Sequence, residues 1–66
     1  MFIALKRISE VGGSRATFEL NVRFTSIVAV ESENRKGPDD EELCWIYIGS
    51  IRLLVVKTRE LADLVA

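Results

Sequence analysis

The densest chemistry in this chain is a run of four carboxylates, Asp39-Asp40-Glu41-Glu42. Hard cations take clusters of oxygen ligands, so such a run could hold one. It lacks the alternating acids and central glycine of a calcium loop. It also follows Gly37-Pro38 within a charged stretch, Ser32–Glu42. The expectation is a solvated loop whose charge discourages edge-to-edge pairing of neighbouring strands. Cys44 is the single cysteine, so no intrachain disulfide can form, although a Cys44–Cys44 bridge between two chains could. It opens an apolar strand, where burial raises a thiol pKa and quenches its reactivity, and it reads as a small buried hydrophobe. Histidine is absent, which removes the commonest general base and the ordinary zinc ligand. No serine stands in a Gly-x-Ser-x-Gly setting. The expectation is a protein that is not an enzyme, with no catalytic residues, no cofactor and no metal site.

Gly12-Gly13 could cradle a phosphate, but such loops lead into a helix N-terminus. Strand-like sequence follows here, so the pair predicts a turn. Nine basic residues stand against ten acidic ones, for a net charge of −1. That balance argues against a domain whose main task is gripping phosphates. A local patch remains open: if the first strand lies near the last, Lys6, Arg7, Lys57 and Arg59 meet at the sheet rim. A symmetric dimer would double that patch, and Trp45 or Tyr47 could stack a base. A mixed-charge solvated surface is the plainer expectation.

These groups must be positioned by a chain of 66 residues, which reads as one domain over its whole length. Phe2–Ile8 is β-rich, with Phe2, Ala4 and Ile8 facing one way and Ile3 and Leu5 the other. Ser9–Arg15 breaks the pattern at the glycine pair. Ala16–Leu20 alternates as a half-buried strand, and Asn21 is expected to end it or to mark a bulge in one longer strand. Ile27–Glu31 resumes as a strand. Gly49-Ser50 separates two apolar runs, Trp45–Ile48 and Ile51–Val56. This predicts a two-residue hairpin of type II′, because glycine takes the positive φ without steric cost. In that register Ile48 faces Ile51, Tyr47 faces Arg52 and Trp45 faces Leu54, and Arg52 is expected to stack on Tyr47. Thr58 is an N-cap for a short helix, Arg59–Ala66, with Leu61, Leu64 and Val65 at helical spacing. The fold class is mainly β. A small antiparallel sheet of four to five strands, with high curvature allowed, carries one short C-terminal α-helix.

Side chains alternate along a strand, so a sheet with one wet face shows polar residues there. The Gly49-Ser50 hairpin does not. Ile46, Ile48, Ile51, Leu53 and Val55 fall on one face, and Trp45, Tyr47, Leu54 and Val56 fall on the other with Arg52. The expected core is Leu5, Phe18, Leu20, Ile27, Ile46, Ile48, Leu53, Val55, Leu61 and Leu64. Small domains bury a modest share of their surface and are marginal without a supplement. With disulfide and zinc excluded, oligomerisation is left. The expectation is a homodimer or higher homo-oligomer whose interface is Trp45, Tyr47, Leu54 and Val56. The apolar start, Met1 to Leu5, is too short for a signal-peptide core or a membrane span. An unpaired thiol without an export signal suggests the cytoplasm and no membrane partner.

Ile3–Arg7, Leu20-Asn21, Ile27-Val28-Ala29-Val30-Glu31, Gly49, Val55-Val56 and Glu60-Leu61 follow one another in an order that resembles the FlbD/SwrD-like family of small bacterial flagellar and motility proteins. That resemblance implies a non-enzymatic accessory role; Gly12-Gly13 and the long Ser32–Glu42 loop depart from the family's compact pattern. Leu5-Lys6-Arg7 and Val55-Val56-Lys57-Thr58-Arg59-Glu60 also resemble the carbon-storage-regulator family, dimeric β proteins that bind messenger RNA. There the family histidine is missing and Arg59 is displaced by one position; the resemblance implies RNA contacts by Arg7 and by Lys57 or Arg59. Three functions follow as expectations. The first is a non-enzymatic interaction or regulatory module that acts as a homo-oligomer on a protein partner. The second is a dimeric RNA- or DNA-binding regulator. The third is a phage-type inhibitor that covers a host protein or sequesters a small ligand.

Overall fold

The computed structural model describes residues 1–65, with Val11 described by its backbone alone. Five strands run in chain order: β1 (Phe2–Val11), β2 (Ser14–Arg23), β3 (Ala29–Lys36), β4 (Glu42–Ile48) and β5 (Ile51–Val56). A single 3-10 turn, Phe24–Ser26, joins β2 to β3, and one helix, α1 (Arg59–Ala62), follows β5. All pairings are antiparallel, in the spatial order β2-β1-β5-β4-β3, and the sheet is open rather than closed into a barrel. The mainly β, five-stranded architecture with a short terminal helix is the one the patterning predicts.

Turn chemistry explains the hairpins. Gly49 has φ 60°, and no positive φ is recorded for Ser50, so glycine alone supplies the left-handed conformation of a type II′ turn. The β4–β5 register sets Ile48 against Ile51, Tyr47 against Arg52 and Trp45 against Leu54, as expected. At the first hairpin Gly12 and Gly13 both have positive φ, at 58° and 82°. The turn is therefore only those two residues, and β1 and β2 run for ten residues each up to it.

Several boundaries differ from the expectation: the break expected over Ser9–Arg15 is only Gly12-Gly13, because two glycines suffice to close the turn, and β3 starts at Ala29 rather than Ile27. Asn21 neither ends a strand nor forms a bulge: it pairs with Ala4 in an unbroken ladder from Phe2↔Arg23 to Val11↔Ser14. Its neighbours Leu20 and Val22 alternate into the core, and that burial overrides the turn preference of asparagine. The charged stretch is not all loop, because β3 extends to Lys36 and the turn is confined to residues 37–41. There the Gly37 N–H donates to the Glu41 carbonyl (2.8 Å), and Asp40 takes a positive φ. The helix is shorter than expected, ending at Ala62, and Ala66 lies outside the described residues. Thr58 caps it as predicted: its Oγ1 accepts the Leu61 N–H at 3.3 Å.

Residues directly opposite in a ladder share a face. One face, here the helix face, carries Ile3, Leu5, Val22, Val30, Cys44, Ile46 and Val55, and α1 lays the fully buried Leu61 on it. Leu20, Ile27, Ile48 and Leu53 pack at its margin, as does Phe24. The opposite face, the tryptophan face, holds a second cluster of Ile8, Leu43 and Leu54 with Trp45 and Val56. Two expected core residues are not in the core. Phe18 is 53% exposed, because the distal half of the β1–β2 hairpin runs beyond the ground α1 covers, and Leu64, past the end of α1 at Ala62, is 40% exposed. In their place Leu43, Ile8 and Val30 are buried.

Candidate interaction surfaces

Cover for the tryptophan face comes from charged side chains of the same chain. Trp45 on β4 points its indole N–H at the Glu33 carboxylate of β3 (3.1 Å). The Arg52 guanidinium lies 4.3 Å from the Trp45 ring centroid. Arg52 stands opposite Tyr47 and diagonal to Trp45, and it takes the diagonal indole, the stronger cation–π partner, rather than the expected Tyr47. The Tyr47 hydroxyl instead reaches the Glu31 carboxylate at 3.3 Å. Arg35 bridges Glu33 and Glu10, each at 3.2 Å. Arg15 lies 3.5 Å from Glu10 and donates from Nη1 to the Lys36 carbonyl at 2.8 Å. A chain of contacts therefore links β2, at one edge of the sheet, to β3 at the other.

The electrostatics follow this network. Partial desolvation pushes the Glu33 carboxyl up, but hydrogen bonds from Arg35, the Asn34 N–H and the Trp45 indole together hold it below the ordinary carboxylate range. Arg35 is raised by its hydrogen bond to Glu33 and by the charges of Glu10 and Glu33. Cys44, fully buried on the helix face, has its thiol pushed up to about 11 by burial, against a small opposing effect of the Lys57 charge. A protonated, enclosed thiol is a poor nucleophile.

The residues expected at an oligomer interface are thus dispersed in depth. Leu54 is 4% exposed within the single chain and so offers no surface to a partner. Trp45, Tyr47 and Val56 are half-buried. The apolar face expected to need a second chain is covered by the aliphatic stems and planar heads of arginines and glutamates, which can lie along apolar surface while their charges stay wet. Exposed apolar surface sits elsewhere. By register Phe18 and Ala16 on β2 and Ile51 on β5 lie on the helix face beyond α1, with Phe18 at 53% and Ile51 at 55% exposure. Met1, Phe2 and Val28 are also exposed. Phe18 was readable as an apolar residue of a strand, but its exposure depends on how far α1 reaches, which no local pattern states.

The four basic residues expected at one rim do not share a face. β1 does lie beside β5, through the pair Arg7↔Val55. That register places Arg7 on the helix face and Lys6 on the other, opposite Glu19 of β2. Lys57 is half-buried and within 3.7 Å of Glu42, while Arg59 is exposed at the first turn of α1. Past Arg7↔Val55 the β1–β5 seam opens into a shallow groove of about 300 Å³, lined by Arg52, Trp45 and Glu10 on the tryptophan face and, at its rim, by Arg7, whose side chain leaves toward the helix face. Neither Arg7 nor Arg52 has an ion-pair partner among the described residues. The acidic run also separates. The Glu41 carboxylate turns inward to accept the Asp39 N–H at 2.8 Å, and Glu42 pairs with Lys57. No helix among the described residues is long and apolar enough to cross a membrane.

Comparison with known protein families, with curated proteins and with solved structures returned no match to this chain.

Proposed function

We propose that this chain is a small interaction module without catalysis of its own, one that self-associates and holds a protein partner. The observation that carries this reading is the pair of large apolar side chains left on the helix face outside the reach of α1, Phe18 and Ile51, each more than half exposed. Large apolar side chains that continue a core face into solvent favour association, because each gains burial on contact. The location of the one thiol supports the non-enzymatic part: Cys44 is enclosed and its pKa is raised, the reverse of an activated nucleophile. Sedimentation across micromolar concentrations tests the proposal. A mass above that of one chain is expected, reduced by Phe18→Asp with an unchanged far-ultraviolet spectrum. A single-chain mass at every concentration, millimolar included, overturns it.

The groove at the β1–β5 seam favours a second reading, a nucleic-acid-binding dimer. Arg52, stacked on the Trp45 indole on the tryptophan face, and Arg7, at the groove's rim with its side chain on the helix face, have no ion-pair partner among the described residues, and such unpaired cations suit phosphates. Salt-dependent retention on a phosphate-bearing resin, lost in Arg7→Glu and Arg52→Glu, would support it. Retention unchanged by both substitutions would remove it.

A further inference from the structure

The β2 strand is an edge guarded by charge alone, at Arg15, Glu19 and Arg23. Its ten residues pair with β1 without a register shift, it contains no proline, and most of its side chains are exposed. Edge strands of this kind are templates for another strand. The direction of its free backbone groups follows from the ladder. The Phe24 N–H donates to the Met1 carbonyl at 2.8 Å, so even-numbered positions of this segment turn their N–H and C=O groups toward β1. The odd positions Arg15, Thr17, Glu19, Asn21 and Arg23 turn theirs outward, and their side chains lie on the tryptophan face by register.

We infer that β2 pairs antiparallel with β2 of a second copy about a two-fold axis at Thr17, joining two five-stranded sheets edge to edge. The inference rests on the self-association proposed above. Charge and apolar matching select the register. A two-fold at Glu19 sets Glu19 against itself and Arg15 against Arg23 of the partner subunit, so every directly opposed charged pair is repulsive. A two-fold at Phe18 leaves Glu19 opposite a threonine. A two-fold at Asn21 matches Glu19 with Arg23 of the partner subunit but sets Phe18 where the partner strand has ended, since β2 stops at Arg23. The two-fold at Thr17 sets Arg15 opposite Glu19 of the partner subunit twice over and pairs the two threonines. On the helix face it lays Phe18 across Ala16 of the partner subunit, with the two phenylalanines diagonal to each other. Opposite charges, threonine pairs and aromatic contacts across a ladder all stabilise pairing.

A charge-reversal mixing experiment tests this. Arg15→Glu alone and Glu19→Arg alone each place like charges at both opposed pairs, and each should weaken self-association by about tenfold or more. An equimolar mixture of the two variants restores both pairs and should associate as the native chain does. If the native chain associates but neither reversal weakens it, or the mixture fails to recover, the β2 pairing is wrong while self-association stands. If the native chain stays single at all concentrations, both fall.

Discussion

The two edges of this sheet are built differently, although both are strands of similar length. β3 is obstructed along its course. The chain end returns to bridge Val65 alongside Val30, a register shift interrupts it between Glu33 and Lys36, and Pro38 follows shortly after. Its outer residues carry Glu31, Glu33, Arg35 and Lys36, and Arg15 caps the Lys36 carbonyl from across the molecule. β2 carries charge as well, at Arg15, Glu19 and Arg23, but it has no bulge, no following proline and no returning chain: its ladder is continuous and its exposed side chains include Phe18. Natural sheets usually blunt their edges with charge, bulges or cover. The contrast is what the proposed β2 pairing rests on: one edge is interrupted and covered, and the other is continuous.

Removing the floor beneath the guarded edge has the largest expected effect. Leu43 lies opposite Glu33 and is 1% exposed, so Leu43→Ala should cost about 2–5 kcal/mol in urea unfolding, through lost burial and a residual cavity. A cost near zero would mean that charged side chains alone hold this face together. Next, Arg15→Ala removes the link between the edges and should cost about 0.5–1.5 kcal/mol. Amide exchange should quicken in β3 and at the distal end of the β1–β2 hairpin; unchanged exchange there would show that the link carries no stability. A lysine placed on each edge compares them directly. Thr17→Lys and Ser32→Lys should both leave the stability of the single chain within about 0.5 kcal/mol, since both sites are exposed. Only the β2 substitution should weaken self-association, and equal effects at both edges would erase the contrast.

The smallest effect is one of pH. Because the Glu33 carboxyl is held below its ordinary value of 4.5, the folded state favours the ionised form. Its contribution is complete above that value and is lost as pH falls through the lowered one. Trp45 fluorescence should therefore change as the solution is taken below the ordinary carboxylate range, when its acceptor is protonated. The change should vanish in Glu33→Gln, and its persistence there would place the titrating group elsewhere.

Local chemistry carried the parts of this fold that were legible beforehand. The Gly49-Ser50 turn, the β4–β5 register, the two apolar faces of that hairpin and the Thr58 cap each depend on residues a few positions apart. The place of Cys44 at the head of an apolar strand favoured burial without deciding it, and the structure encloses it fully. The errors lie where distant segments compete. Asn21 looked like a strand end until Leu20 and Val22 were seen to alternate into the core. Ser32 to Lys36 looked like loop because their charges suit a solvated surface, and an edge strand is such a surface on one side. Phe18 and Leu64 looked like core because apolar spacing does not report how much a four-residue helix can cover. Lys6 and Arg7 part because neighbouring residues on one strand point to opposite faces, and Lys57 is drawn to Glu42.

The amino-acid order by itself determined that the β4–β5 hairpin would be apolar on both sides, since alternation and a two-residue turn leave no other register. Only the tertiary structure decided what covers each side. The cover on the tryptophan face brings together Glu10, Arg15, Glu33 and Arg35, and which apolar side chains are left open on the other face depends on where α1 docks. Those placements follow from the packing of strands remote in the chain, and a local pattern carries no record of them.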